Sequence, residues 1–127
     1  MVFVMMTTEP NRSLTKTIKS MNGVSIEFSS VRTVDEINDN KFKTDWYLIL
    51  YDTEYLSYEL LKAVESLLGM DIEYDALIFM RKAPDGKLYQ SPRMFKRHVR
   101  LAKDSFLPED RSMKMQRILD GWIYEHA

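Results

Sequence analysis

The sequence contains no cysteine in 127 residues, which excludes a disulfide framework, a thiolate metal site and a cysteine nucleophile. A chain without cysteine suits a reducing compartment, so we expect a cytoplasmic protein. No apolar run approaches the roughly 20 residues of a membrane-spanning helix, and the opening MVFVMM lacks the basic leader of a signal peptide. The net charge of −1 argues against a general nucleic-acid-binding protein.

The composition provides enough apolar material for one core. Apolar residues make up 45% of the chain and charged residues 29%, so we expect a single globular domain over residues 1–127. The charge is uneven, because eight Lys and Arg and a single acid, Asp85, lie between Arg81 and Lys103. This basic strip could attract phosphate, form an ordinary solvated surface or bind nucleic acid, although no nucleic-acid motif accompanies it.

The first half of the chain predicts alternating strands and helices. Apolar runs at Val2–Met6 and Tyr47–Leu50 predict buried strands, and residues 24–28 predict a third strand between them. Helical spacing of apolar residues follows each of the first two strands, and Ser57 is typical of the N-cap of a further helix.

The second half predicts a hairpin and then a helix. The runs Ala76–Met80 and Leu88–Gln90 flank a Pro-Asp-Gly turn, which is a hairpin signal. Pro108 favours the start of a C-terminal helix, whose apolar face would consist of Met115, Ile118, Leu119, Trp122 and Ile123. Together these elements predict a layered α/β domain.

Two acids, Asp52 and Glu54, follow the most apolar strand. Ligands of open α/β sheets bind beyond the carboxyl ends of strands, and residues two apart on an extended chain point the same way. The pair therefore fits a hard-oxygen site for Mg²⁺ or Mn²⁺. The alternative is that both acids simply cap the turn into the helix at Ser57.

Several segments occur in the order found in one enzyme family. TDWYLILYDTEYLSYELL resembles the metal-binding segment of GT-A-type glycosyltransferases of the large family 2. VFVMMTTEPNRSLTKTIKSM is similar to their opening strand and nucleotide-binding loop, and INDNKFKTDWY to the run before the metal strand. SPRMFKR and PEDRSMKMQRILDGW resemble the segments after the acceptor-side hairpin and around the catalytic base.

This resemblance implies a small GT-A-like, Rossmann-like three-layer domain with a mainly parallel sheet, a hairpin in the second half and a C-terminal helix. It implies a metal-dependent, inverting glycosyltransferase that uses a nucleotide-diphosphate sugar, with a UDP-sugar as the favoured donor and an unknown acceptor. The implied metal ligands for Mn²⁺ or Mg²⁺ are Asp52 and Glu54. The implied nucleotide-binding residues are Thr8, Glu9, Arg12, Arg93 and Arg97.

The implied general base is Asp110 or Glu109, which would remove a proton from the acceptor hydroxyl. Without the resemblance, the same two acids fit the first turn of a helix, where the dipole favours negative charge.

A second interpretation follows from how the acidic motif is matched to the family. If Glu54 and the three residues after it are matched to the EyLs of the family's DaDEyLs, the two metal aspartates fall on Tyr51 and Thr53. Either Asp52 and Glu54 form a shifted site, or the metal motif is degraded. A degraded motif predicts a non-catalytic module that binds a nucleotide, a glycan or a protein, and a homodimer would suit so small a core.

Overall fold

A computed structural model of the chain describes residues 2–6, 27–31, 33–39, 44–51, 54–103 and 105–125. The described strands are β1 (Val2–Met6), β2 (Glu27–Val31), β3 (Trp46–Tyr51), β4 (Glu54–Leu56), β5 (Ala76–Lys82), β6 (Leu88–Lys96) and β7 (Met115–Glu125). The described helices are α1 (Val34–Asp39) and α2 (Tyr58–Leu68). The helix predicted after β1 lies outside the described residues.

The described strands form one mixed sheet in the order β2-β1-β3-β6-β5-β7-β4, which curls into a nearly closed, barrel-like form. β1 pairs in parallel with β2 and β3, and β5 pairs in parallel with β7. The pairs β3–β6, β5–β6 and β4–β7 are antiparallel. The predicted GT-A-like, Rossmann-like three-layer domain with a mainly parallel sheet is therefore wrong. The β5–β6 hairpin is confirmed, and it reverses the strand direction in the middle of the sheet.

The predicted C-terminal helix is also wrong, because this stretch forms β7. Ile118 and Ile123 are both buried, although an odd spacing should place them on opposite faces of a regular strand. The pairing of β5 with β7 shifts register between Phe79 and Arg81, and Gly121 has a φ of 76°. This irregularity returns Ile123 to the core face. Because of this irregularity, the apolar residues that face the core are spaced in the sequence as they would be in a helix.

Apolar side chains pack on both faces of the sheet. One face carries α2, and Leu60 and Val64 of this helix pack with Leu48, Leu77 and Ile118. The other face carries α1 and part of the segment 97–113. Residues 46–50 of β3 are all buried, which confirms the prediction that both faces of this strand are covered.

Ser57 connects the start of α2 to β7 by hydrogen bonds. The Ser57 hydroxyl accepts a hydrogen bond from the backbone N–H of Leu60 at 3.2 Å, which confirms the predicted N-cap. The same hydroxyl accepts from the N–H of Trp122 at 3.0 Å, and the N–H of Ser57 donates to the Trp122 carbonyl at 2.9 Å. A Cβ on Gly121 would lie 2.2 Å from the Ser57 Oγ, so only glycine allows this approach.

Replacing Gly121 with alanine should destabilise the protein by at least about 2 kcal/mol, because it combines an unfavourable positive φ with a clash against α2. Gly86→Ala is the matched control, since Gly86 has a φ of 87° but no atom within 4 Å of its added Cβ. Urea unfolding of both variants measures the difference. Equal losses of unfolding free energy in the two variants would show that the close approach of Gly121 to Ser57 adds nothing to the cost of the substitution.

Candidate functional site

Three parallel strands end at one edge of the sheet. In the register of β1, Met6 is aligned with Val31 of β2 on one side and with Tyr51 of β3 on the other. Met6 and Tyr51, the last residues of β1 and β3, therefore lie side by side at the carboxyl edge, where ligands of such sheets bind. Asp52, Thr8, Glu9 and Arg12, which follow these two strands in the sequence, lie outside the described residues.

Glu54 follows β3 closely, and its carboxylate is completely buried. One oxygen, Oε1, accepts from Nη1 of Arg93 at 2.6 Å and from the N–H of Tyr51 at 2.7 Å. The other, Oε2, accepts from Nη2 of Arg93 at 2.9 Å and from Nε of Arg81 at 2.6 Å. A carboxylate has about four lone-pair positions, so all of them are taken by donors of the protein.

The two arginines extend this contact into an ionic network that is buried at Glu54 and Arg93 and partly exposed at Arg81 and Glu125. Arg81 on β5 also donates from Nη2 to Glu125 of β7 at 2.8 Å. Arg93 on β6 is 2% exposed and donates from Nε to the Ser91 hydroxyl at 2.7 Å. Two carboxylates face two guanidinium groups, so the network is neutral overall.

The environment of Glu54 favours its ionised form. Burial raises the pKa of this carboxyl, but the hydrogen bonds and charge of Arg93, the Tyr51 N–H and Arg81 outweigh burial and leave the pKa below its ordinary value. The negative charge is already balanced by two guanidinium groups, which would repel a divalent cation at the same oxygens. Glu54 as placed does not fit the predicted role of a metal ligand.

The metal site with Asp52 stays a prediction, because Asp52 is outside the described part of the chain. Among the residues that are described, no group of three or more His, Asp or Glu side chains is arranged to hold a metal ion.

The surface above the network is aromatic. The guanidinium carbon of Arg93 lies 5.3 Å from the ring centre of Tyr51 and 5.1 Å from that of Phe106. The two rings are 5.5 Å apart, and Tyr51 is 43% exposed. This edge therefore presents partly exposed aromatic rings over a buried guanidinium group.

Arg93 and Arg97, both predicted to bind nucleotide, are not brought together. Arg93 contacts the carboxyl end of β3, whereas the N–H of Arg97 donates to the carbonyl of Asp45, which precedes this strand. The two residues thus contact opposite ends of β3. Nor is the basic strip 81–103 one continuous charged surface, since Arg81 and Arg93 are engaged by Glu54.

The two candidate bases, Glu109 and Asp110, lie in a segment of turns before β7 instead of in a helix. Both side chains are exposed. The hydroxyl and N–H of Ser112 donate to Asp110 and lower the pKa of its carboxyl, which makes it a weaker base. Phe106, a few residues earlier in the same segment, brings this part of the chain to Tyr51.

No protein-family model matches this chain, and no curated protein matches it either. Within the residues that the structure describes, no helix is both long and apolar enough to cross a membrane.

Sequence reasoning missed Arg81, Glu125 and Phe106, which complete the surroundings of Glu54. Arg81 directly follows the predicted strand Ala76–Met80, and Arg93 lies three residues beyond the predicted strand Leu88–Gln90. Neither arginine stood inside a predicted buried strand, so the pattern of the sequence did not indicate that an opposite charge lies nearby.

Replacing Glu54 with glutamine should destabilise the protein by about 3–5 kcal/mol, because two guanidinium groups would lose their buried counter-charge. Glu125→Gln is the matched control in the same network. It removes an outer, 30% exposed carboxylate and should cost about 1 kcal/mol or less. Urea unfolding measures both variants, and equal costs would contradict a central role for Glu54.

The stability difference between the native protein and Glu54→Gln should depend on pH. A carboxyl whose pKa is lowered on folding stabilises the protein above its unfolded pKa of 4.5 and loses that contribution as pH falls through its folded pKa. We therefore expect the difference to be constant near neutral pH and to shrink below pH 4.5. Urea titrations between pH 7 and pH 3 would show this, and a difference that grows on acidification would contradict the assignment.

Proposed function

We propose that this chain binds a nucleotide-diphosphate sugar at the carboxyl edge of β1, β2 and β3 and acts as a glycosyltransferase. The observation that supports it most is the alignment of Met6, Val31 and Tyr51. Thr8, Glu9 and Arg12 follow Met6 in the sequence, and Asp52 follows Tyr51. A UDP-sugar is the favoured donor.

In the proposed reaction, an acceptor hydroxyl oxygen attacks the anomeric carbon of the donor sugar. The bond from this carbon to the diphosphate oxygen breaks, and its electron pair leaves with the nucleoside diphosphate. Glu109 or Asp110 takes the hydroxyl proton, and Glu109 is preferred because the Ser112 bonds weaken Asp110 as a base. Glu54 holds Arg93 beneath Tyr51 and takes no part in the transfer.

A second candidate function is a non-catalytic module that binds the same ligand class. The saturated carboxylate of Glu54 favours it, because Asp52 is then the one remaining acid of the shifted D-x-E motif. One carboxylate is a weak anchor for a divalent cation, which is usually held by several oxygen ligands.

Ligand-observed NMR with UDP-glucose, UDP-N-acetylglucosamine and GDP-mannose, with and without Mn²⁺, tests binding. We expect one of them to bind with a Kd between about 1 μM and 1 mM, the range in which the KM values of enzymes usually fall. Asp52→Asn should weaken binding in the presence of Mn²⁺. Asp45→Asn is the control, because Asp45 is an exposed acid at the opposite end of β3 and should leave binding unchanged.

Release of free nucleoside diphosphate separates the two candidates. Slow hydrolysis of the bound donor that is lost in Glu109→Gln supports the transferase, whereas binding without turnover supports the module. If none of the nucleotide-sugars binds under either condition, both candidates are wrong.

A further inference from the structure

Half of β7 has one side without a strand partner among the described residues. β5 pairs with residues 115–118 on one side of β7 and pairs again at Ile123 and Tyr124, after the shift in register. On the other side, β4 pairs only with Ile123, Tyr124 and Glu125. Ser57 continues this contact as far as Trp122. In the described part of the chain, the other side of residues 116–120 therefore has no strand partner, and such a strand edge can accept another strand.

An apolar groove accompanies this edge. Its floor is formed by Ile118 of β7 and Leu67 of α2, and Met70 borders it with 64% of its own surface exposed. The two connected parts of the groove have volumes of about 460 and 540 Å³. A strand added beside residues 116–120 would direct every second side chain into this groove.

Acidic side chains line both ends of the groove. Glu59 and Asp120 lie at one end, and Asp71 and Glu73 lie at the other. All four are exposed. The lining contains one base, Lys62, and its ammonium group is paired with Glu65 at 3.2 Å.

We propose that this edge and groove bind an extended peptide segment of a partner protein, apolar in its centre and basic at both ends. The partner adds a strand to β7 through backbone hydrogen bonds, and its central apolar side chains enter the groove. Its Lys or Arg residues face the acids at each end. This surface is distinct from the carboxyl edge of β1–β3, so the proposal does not rest on the proposed function.

A second copy of the chain fits this surface less well. In a dimer, two β7 edges would pair in antiparallel fashion around Ile118. The Glu59 end of the groove in one copy would then lie near the Asp71 end of the groove in the other copy. Like charges would then meet at both ends, which disfavours the dimer. The homodimer expected from the small size of the core is therefore the competing explanation of this surface, and the experiment below distinguishes it from a peptide partner.

Fluorescence anisotropy with the labelled peptide KKVTVTVKK tests the proposal. We expect saturable binding that weakens with added salt, together with slower hydrogen exchange at the amides of residues 116–120. The peptide EEVTVTVEE should not bind. The KKVTVTVKK peptide with N-methyl groups on alternate central amides should also fail, because it cannot complete the strand ladder.

Asp120→Lys should weaken binding of KKVTVTVKK by at least about fivefold, through like-charge repulsion at the groove end. Asp39→Lys is the control, because Asp39 is an exposed acid on α1, which packs on the opposite face of the sheet. Equal binding of the acidic or N-methylated peptide would overturn the proposal. So would a concentration-dependent dimer, seen by sedimentation, whose formation protects residues 116–120.

Discussion

The buried carboxylate of Glu54 is the interaction on which the arrangement of the sheet depends. It belongs to β4, and it binds the end of β3 through the Tyr51 N–H, β5 through Arg81 and β6 through Arg93. Glu125 adds β7 to the same network. A charge buried this completely must be fully paired, so the network specifies one relative position for five strands.

Most of the local structure could be predicted from the sequence where one pattern acts alone. The five-residue strand β1, the buried strand β3, the N-cap at Ser57 and the β5–β6 hairpin follow from apolar runs, capping and turn chemistry. The prediction of a C-terminal helix was wrong because the irregularity near Gly121 spaces the buried residues of this strand as in a helix. The prediction of a mainly parallel sheet was wrong because the order and direction of strands depend on long-range pairing, which local sequence patterns do not reveal.

The candidate site shows the same division. The sequence points to the two acids that follow β3, but spacing alone does not distinguish a metal ligand from an ionic anchor. The difference depends on Arg81 and Arg93, which are 27 and 39 residues away from Glu54 in the chain. Only the pairing of β5 and β6 with the rest of the sheet brings these charges to the carboxylate.

The separation between Glu54 and its partners has a consequence for the newly made chain. Glu54 leaves the ribosome before both of its arginines, and Ser57 leaves long before Trp122, 65 residues later. The carboxylate must therefore remain hydrated until the hairpin arrives, since an unpaired charge cannot be buried. The fold is thereby completed late and from its C-terminal half, and a chain interrupted before β6 would leave one edge of β3 without the strand that pairs with it.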